Sequence, residues 1–185
     1  SEALVFHGRV PPCEHARMRA PFQQGDFPAP VKYGYSSVGD IVAGPASLRG
    51  KTVFCLYPHQ DRYVVPAGAV HVLPAGTPPE RAILAANMET ALNGVWDASP
   101  LPGERMSVIS IVPLGALTAY LCQRIIGTEV QLVDIDPKRQ SLAEALNVTF
   151  ALPPNAQADQ DLIIHASGHA EGLDTALGLA GMEGR

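Results

Sequence analysis

The pattern of apolar and polar positions divides the chain near residue 75. Before it, the β-branched runs are short, at 38–42, 52–56 and 63–65, and lie among many Pro and Gly residues. That texture predicts irregular β structure. After Pro78 the period changes. Residues 80–96 place apolar side chains at helical spacing with proline near the start, which predicts a helix. A regular alternation follows: an apolar run at 106–111, a helical stretch at 114–125, a run at 130–133, a helical stretch at 137–146, a strand at 148–151, a run at 162–165 and a helical stretch at 172–179. Strands alternating with helices predict right-handed βαβ units and a doubly wound parallel sheet.

The expected organisation is therefore a β domain over residues 1–75 and an α/β domain over 76–185. The polar, Pro- and Ala-rich segment 153–160 reads as a loop. There is no internal repeat and no low-complexity tract. The last helical stretch stops at Gly181-Met182-Glu183-Gly184-Arg185, where a doubly wound sheet ordinarily continues into another strand, and the chain opens at Ser1 without an initiator Met. A chain cut at one or both ends is the expectation.

Composition narrows the partners. Of 185 residues 46% are apolar, enough for a sizeable core, and the net charge of -5 is spread without acidic or basic blocks. That argues against nucleic acid or an anionic membrane and for a small-molecule substrate. The apolar stretch at 106–117 is interrupted by Ser110 and Pro113 and is shorter than the ~18 residues a bilayer span needs. Cys13, Cys55 and Cys122 are too widely spaced for a disulfide framework or a metal knuckle, which points to a reducing cytoplasm. The first residues lack the features of a signal peptide.

The first βαβ unit carries the candidate chemistry. A dinucleotide site needs a strand, a tight glycine turn, a helix N-terminus for the pyrophosphate and an acid for the ribose. Here the turn reads Ser110-Ile111-Val112-Pro113-Leu114-Gly115, so of three glycine positions only the last is glycine. Asp134 ends the next strand, nineteen residues beyond Gly115, and supplies the acid. Gly115 lets the helix approach the strand, whereas a side chain at Val112 obstructs the approach to phosphate. Ser110 is a milder change, since its hydroxyl can donate to phosphate provided the turn does not need positive φ. Ser110, Val112, Pro113, Leu114, Gly115 and Asp134 are the candidate cofactor contacts. A carboxylate at 134 favours NAD over NADP, while Arg139 nearby offers a cation and keeps NADP as the second choice. Asp136, before Pro137, reads as a helix N-cap that leaves Asp134 for the ribose. At the end of the fourth strand of this sheet, His165, Ala166, Ser167 and Gly168 would line the nicotinamide side. His59, in a loop, is either a cleft residue or a surface histidine. His7, His15, His71 and His169 offer no chemical handle.

Taken with Tyr33-Gly34-Tyr35-Ser36-Ser37-Val38-Gly39, Asp61-Arg62-Tyr63-Val64-Val65-Pro66, Ala86-Asn87-Met88-Glu89-Thr90-Ala91 and Leu132-Val133-Asp134-Ile135-Asp136, the chain resembles the medium-chain dehydrogenase/reductase family. The likeness is to a divergent, zinc-type alcohol dehydrogenase-like branch similar to bacteriochlorophyllide dehydrogenases. It implies a partial GroES-like β domain followed by a Rossmann domain, an NAD(P) cofactor, and pairing into a homodimer. In zinc-using members a Gly-His-Glu motif supplies a metal-ligating histidine. Here those positions are Gly34, Tyr35 and Ser36, which are poor zinc ligands, so no catalytic zinc is expected. The family's first cysteine ligand would fall at or before Ser1.

Without zinc, a side chain must polarise the substrate carbonyl. Tyr35, at the missing ligand's position, is the candidate, with Ser36 beside it. Glu89 and Thr90 lie where the resemblance places residues next to the nicotinamide. The plainer alternatives are a packed tyrosine and a helix-surface charge. Three functions stay open: a zinc-independent NAD(P)-dependent oxidoreductase acting on an alcohol or carbonyl, a non-catalytic relative with a degraded nucleotide site, and a zinc-dependent alcohol dehydrogenase with ligands outside this chain.

Overall fold

The computed structural model describes residues 2–110 and 113–185. It forms two compact units, Ser1–Ala86 and Asn87–Arg185.

In the first unit, α1 (Glu2–Phe6) precedes a small antiparallel pair, β1 (Gln24–Gly25) with β2 (Val31–Lys32). A three-stranded antiparallel sheet follows, in the order β3 (Ser37–Asp40), β4 (Thr52–Cys55), β5 (His71–Val72). The central strand β4 buries Val53 and Cys55 and turns Thr52 and Phe54 outward, the alternation of a half-buried strand. The runs at 38–42 and 52–56 thus became β3 and β4. The run at 63–65 did not become a strand. Tyr63 stacks on Tyr57 with centroids 3.8 Å apart and rings 7° from parallel, Val64 is 94% exposed, and the backbone there joins no ladder. Propensity without a backbone partner does not make a strand.

The helix expected at 80–96 is two helices, α2 (Pro79–Ala82) and α3 (Ala85–Ala98). The Ser36 hydroxyl donates to the Ile83 carbonyl at this break, satisfying a group that a continuous helix would have paired internally. Periodicity alone is blind to such a break.

The second unit is a four-stranded, wholly parallel sheet in the order β8-β7-β6-β9, built from β6 (Arg105–Ile109), β7 (Glu129–Val133), β8 (Thr149–Ala151) and β9 (Leu162–His165). The helices α4 (Pro113–Cys122), α5 (Gln140–Leu146) and α6 (Ala170–Leu179) connect or follow the strands. In sheet order this is 3-2-1-4, four of the six strands of a doubly wound 3-2-1-4-5-6 sheet, whose order reverses between β6 and β9. On one face Met106, Val108, Val130 and Leu132 pack with Ala116, Ala119, Cys122, Ala143 and Val95. On the other, Ile109 and Val133 pack with Ala176 and Leu179 of α6. Both faces of the sheet are covered, as near-continuous apolar strands require.

The loop at 153–160 is tied down from an unexpected quarter. The buried Gln131 side chain, mid-strand in β7, donates to Ser107 Oγ (2.7 Å) and Gln157 O (2.8 Å) and accepts from Gln157 N (3.0 Å). A buried amide so satisfied fixes the loop instead of weakening the sheet. Among the described residues no helix is long and apolar enough to cross a membrane.

Candidate functional site

The C-terminal ends of the parallel strands open on a cleft of about 590 Å³. Ile109 and Ser110 reach it from β6, Val133 and Asp134 from β7, Pro153 from the segment after β8, and Ser167, His169, Glu171 and Gly172 from the segment after β9 and the start of α6. Ligands of open parallel sheets bind at this edge, where strand order reverses.

Gly115 shapes the cleft from below. A Cβ built on it would overlap the Ser110 carbonyl oxygen and come within 3.6 Å of Val108 Cγ1, so α4 lies as close to the strand end as a helix can. Pro113 and Leu114 form the first turn of the same helix. Ser110 has φ +90°, the left-handed region that favours glycine, and its N–H donates to Val133 O at 2.7 Å. The turn therefore does require positive φ at the first glycine position, which corrects the condition under which serine would have been a mild replacement. Ile111 and Val112 fall outside the described residues, and with them the obstruction expected at Val112.

Asp134 ends β7 at the cleft wall. Its Oδ1 accepts the Asp136 N–H at 2.9 Å, so the carboxylate is engaged by its own turn and is not left wholly to a ribose. This bond holds the orientation of the carboxylate, which has two oxygens and about four acceptor sites. Asp136 is the N-cap expected of it: with φ -95° and ψ 108° it accepts from Lys138 N at 3.0 Å, ahead of Pro137. The turn it caps is 3-10, and α5 begins only at Gln140. Arg139 lies at the cleft with its Nε 3.6 Å from Asp136 Oδ2. Its charge is balanced by a neighbouring acid.

On the opposite wall, the Ser167 hydroxyl lies 2.6 Å from His165 Nε2 and accepts from His169 N at 3.2 Å. Ala166 N donates to Ile109 O, extending the β6–β9 ladder, and the wall itself is made by Ser167 and His169. Residue type alone offered no handle on His169, nor on Glu171 and Gly172. Their signal is position, in the first turn after the fourth parallel strand.

The remaining candidates lie in the first unit and, for Glu89 and Thr90, on α3 in the second. Tyr35 is half-buried in a bend before β3, its ring edge-on to Tyr33 with centroids 6.4 Å apart. Burial, followed by the nearby Tyr35 and Glu2, raises the Tyr33 phenol above its usual value, and Tyr33 donates to Met18 O at 2.8 Å. The Ser36 hydroxyl is engaged at the Ile83 carbonyl. His59 is exposed, with Nε2 2.7 Å from Glu2 Oε1, a surface pair. Glu89 and Thr90 are exposed positions on α3. Burial raises the Cys55 thiol and pushes Cys122 up to about 11, so neither is a nucleophile at neutral pH. Among the described residues no three His, Cys, Asp or Glu side chains are grouped as a metal ion would need.

No family model matches the chain, and no curated protein matches its sequence. Its fold does match solved structures. The alcohol dehydrogenase TADH from Thermus sp. ATN1 aligns with all of this chain and 65% of its own, at TM-score 0.67 and 19% identity. The quinone oxidoreductase from Thermus thermophilus, also solved in complex with NADPH, matches over 82% of this chain and 52% of its own, at TM-score 0.63 and 24% identity. L-idonate 5-dehydrogenase from Escherichia coli K-12 matches over 80% and 56%, at TM-score 0.65 and 16% identity. The chain thus spans between 52% and 65% of the length of these three structures. What the likeness establishes is the fold: part of a GroES-like β unit, then a Rossmann sheet. This is the architecture of the medium-chain dehydrogenases and reductases that the sequence resembles.

Proposed function

We propose that this chain is part of a nicotinamide-dependent oxidoreductase that acts on an alcohol or carbonyl compound, prefers NAD to NADP and works without zinc. The observation that carries the reading is the convergence of Ser110, Asp134, Arg139 and Ser167 on one cleft at the reversal of strand order, with Gly115 beneath it. These residues fit a dinucleotide. Asp134 would hold the ribose hydroxyls, the first turn of α4 would face the pyrophosphate, and Ser167 would meet the nicotinamide end. When bound, the nicotinamide supplies the hydride chemistry.

The preference for NAD follows from charge. The cleft is lined by the carboxyl groups of Asp134, Asp136 and Glu171, and Arg139, which also lines it, is paired with Asp136. A 2′-phosphate would meet more negative charge than positive. In the first unit, Tyr35 is the proposed proton donor to the carbonyl, because its place in the sequence matches the histidine ligand in the zinc-using members of the family that the chain resembles. Ser36 serves to hold the α2–α3 break through Ile83, and Glu89 and Thr90 are proposed to border the nicotinamide.

One observation favours a second reading, a fold that has lost its cofactor. Ser110 holds a glycine conformation at the place where backbone meets phosphate. Titrating the full-length protein with NADH, followed by fluorescence and thermal shift, separates the two. Saturable binding supports the enzyme, and no response supports the degraded site.

A further inference from the structure

A cavity of about 640 Å³ in the first unit is bordered by two stretches of unpartnered backbone, the outer edge of β3 and residues 61–65. Just beyond β3 the Ile41 N–H donates to Lys51 O at 3.1 Å, and the register sets Gly39 opposite Val53 and Ser37 opposite Cys55. Opposed residues in an antiparallel ladder alternate between bonded and non-bonded pairs. Ser37 and Gly39 therefore aim their backbone groups at β4. Val38 and Asp40 aim theirs outward, along an edge where the described residues place no strand. On the other border, the backbone of residues 61–65 makes no hydrogen bond to any described residue.

The rest of the lining asks for a partner too. Val42 is 86% and Val64 94% exposed, with Val38, Ile41 and Val65 beside them. Gln60, also on the lining, takes the Lys32 ammonium on its Oε1 and leaves its buried Nε2 without a partner. The Tyr63 hydroxyl donates to Ser37 Oγ at 2.9 Å, which ties the segment to the start of β3. Free N–H and C=O groups on a β edge template another strand, and exposed β-branched side chains add to the pull. One extended segment, with donors and acceptors on both sides, satisfies both borders at once. A second copy does not fit that requirement, because its described strands all lie within sheets and can meet only one border at a time. A longer polypeptide does. TADH aligns with all of this chain but with only 65% of its own.

We propose that the gap between β3 and residues 61–65 is a strand-acceptor slot, filled in the full-length protein by an apolar β-strand of the same polypeptide from outside residues 1–185. The inserted strand forms a ladder on each side, turns residues 61–65 into the strand that their valines favour, and offers Gln60 Nε2 a backbone carbonyl. It also pins β3, which begins two residues after Tyr35, and so steadies the bend that carries the proposed proton donor.

Hydrogen exchange on the full-length protein tests the slot, and a photocrosslink tests what fills it. The amides of Val38 and Asp40, and alternate amides within 61–65, are expected to exchange at least about a hundredfold more slowly than in a free peptide, at every protein concentration. Free-peptide rates at both borders overturn the proposal. Protection that fades on dilution overturns it as well, by making the occupant a second copy. With p-benzoylphenylalanine in place of Val64, irradiation is expected to join position 64 to a residue of the same chain outside 1–185. A crosslink between two chains, or one confined to residues 1–185, contradicts the proposal. Val64→Asp should expel the strand and speed exchange at Val38 and Asp40, across the slot, by about tenfold or more, leaving β6 and β7 unchanged. Unaltered exchange at Val38 and Asp40, or a rise of equal size in β6 and β7, counts against the slot.

Discussion

Gly115 lies directly against the Ser110 carbonyl, so close that a methyl group on its Cα would occupy the space of the oxygen. Five residues apart, they form a tight corner where the first turn of α4 meets the end of β6. Gly115→Ala should therefore destabilise the protein by about 2 kcal/mol or more, since the obstacle is backbone and not a side chain that can swing away. Urea denaturation measures it, and an unchanged midpoint would show that the corner has slack.

Ser110 is strained by that corner. At φ +90° a residue with a Cβ is disfavoured, by about 1 kcal/mol for an ordinary left-handed position. Ser110→Gly is expected to raise stability by roughly that amount and to tighten NADH, because the first glycine of the turn would be restored. Lower stability together with weaker NADH would mean that the serine hydroxyl makes a contact worth more than the strain.

The amide of Gln131 links β7, Ser107 of β6 and the backbone of Gln157. Gln131→Leu keeps the volume but strands the Gln157 N–H and the Ser107 hydroxyl, at a cost of about 2–3 kcal/mol. Hydrogen exchange should report the loss locally, as faster exchange in segment 153–160. Uniform loss of protection throughout the sheet would instead place Gln131 in the global core.

Burial pushes the Cys122 thiol from 9.0 to about 11. As pH rises through 9 the unfolded chain releases this proton while the folded chain retains it, so the unfolded state binds fewer protons and stability falls with pH. The decline belongs to the window from pH 9 to about 11. Cys122→Ala should flatten it while costing stability at neutral pH through lost packing on α4. A decline of the same slope in the variant would assign it to other groups.

The Rossmann half was readable because parallel strands buried on both faces leave long apolar runs, and β6 to β9 fell where those runs lie. The first unit was harder. Its strands are two to four residues long, and whether residues 63–65 pair with anything depends on partners distant in sequence. The break between α2 and α3 hinges on a serine forty-seven positions earlier, Ser36, which no local period can reveal. At the cleft, Gly115 and Asp134 were legible because each residue type has one familiar use at its place in a βαβ unit. The turn of Asp134 toward the Asp136 N–H, the pairing of Arg139 with Asp136 and the lock of Ser167 on His165 are side-chain geometries, and sequence carries only their ingredients.

The cleft at the C-terminal edge of the parallel sheet is proposed to hold a nicotinamide dinucleotide whose adenosine ribose is unphosphorylated. Parallel titrations of the full-length protein with NADH and NADPH test it most directly. Saturable NADH binding is expected, with NADPH at least about tenfold weaker, the effect of placing a phosphate against Asp134 with Arg139 already paired. Failure to bind NADH, or tighter binding of NADPH, would contradict it.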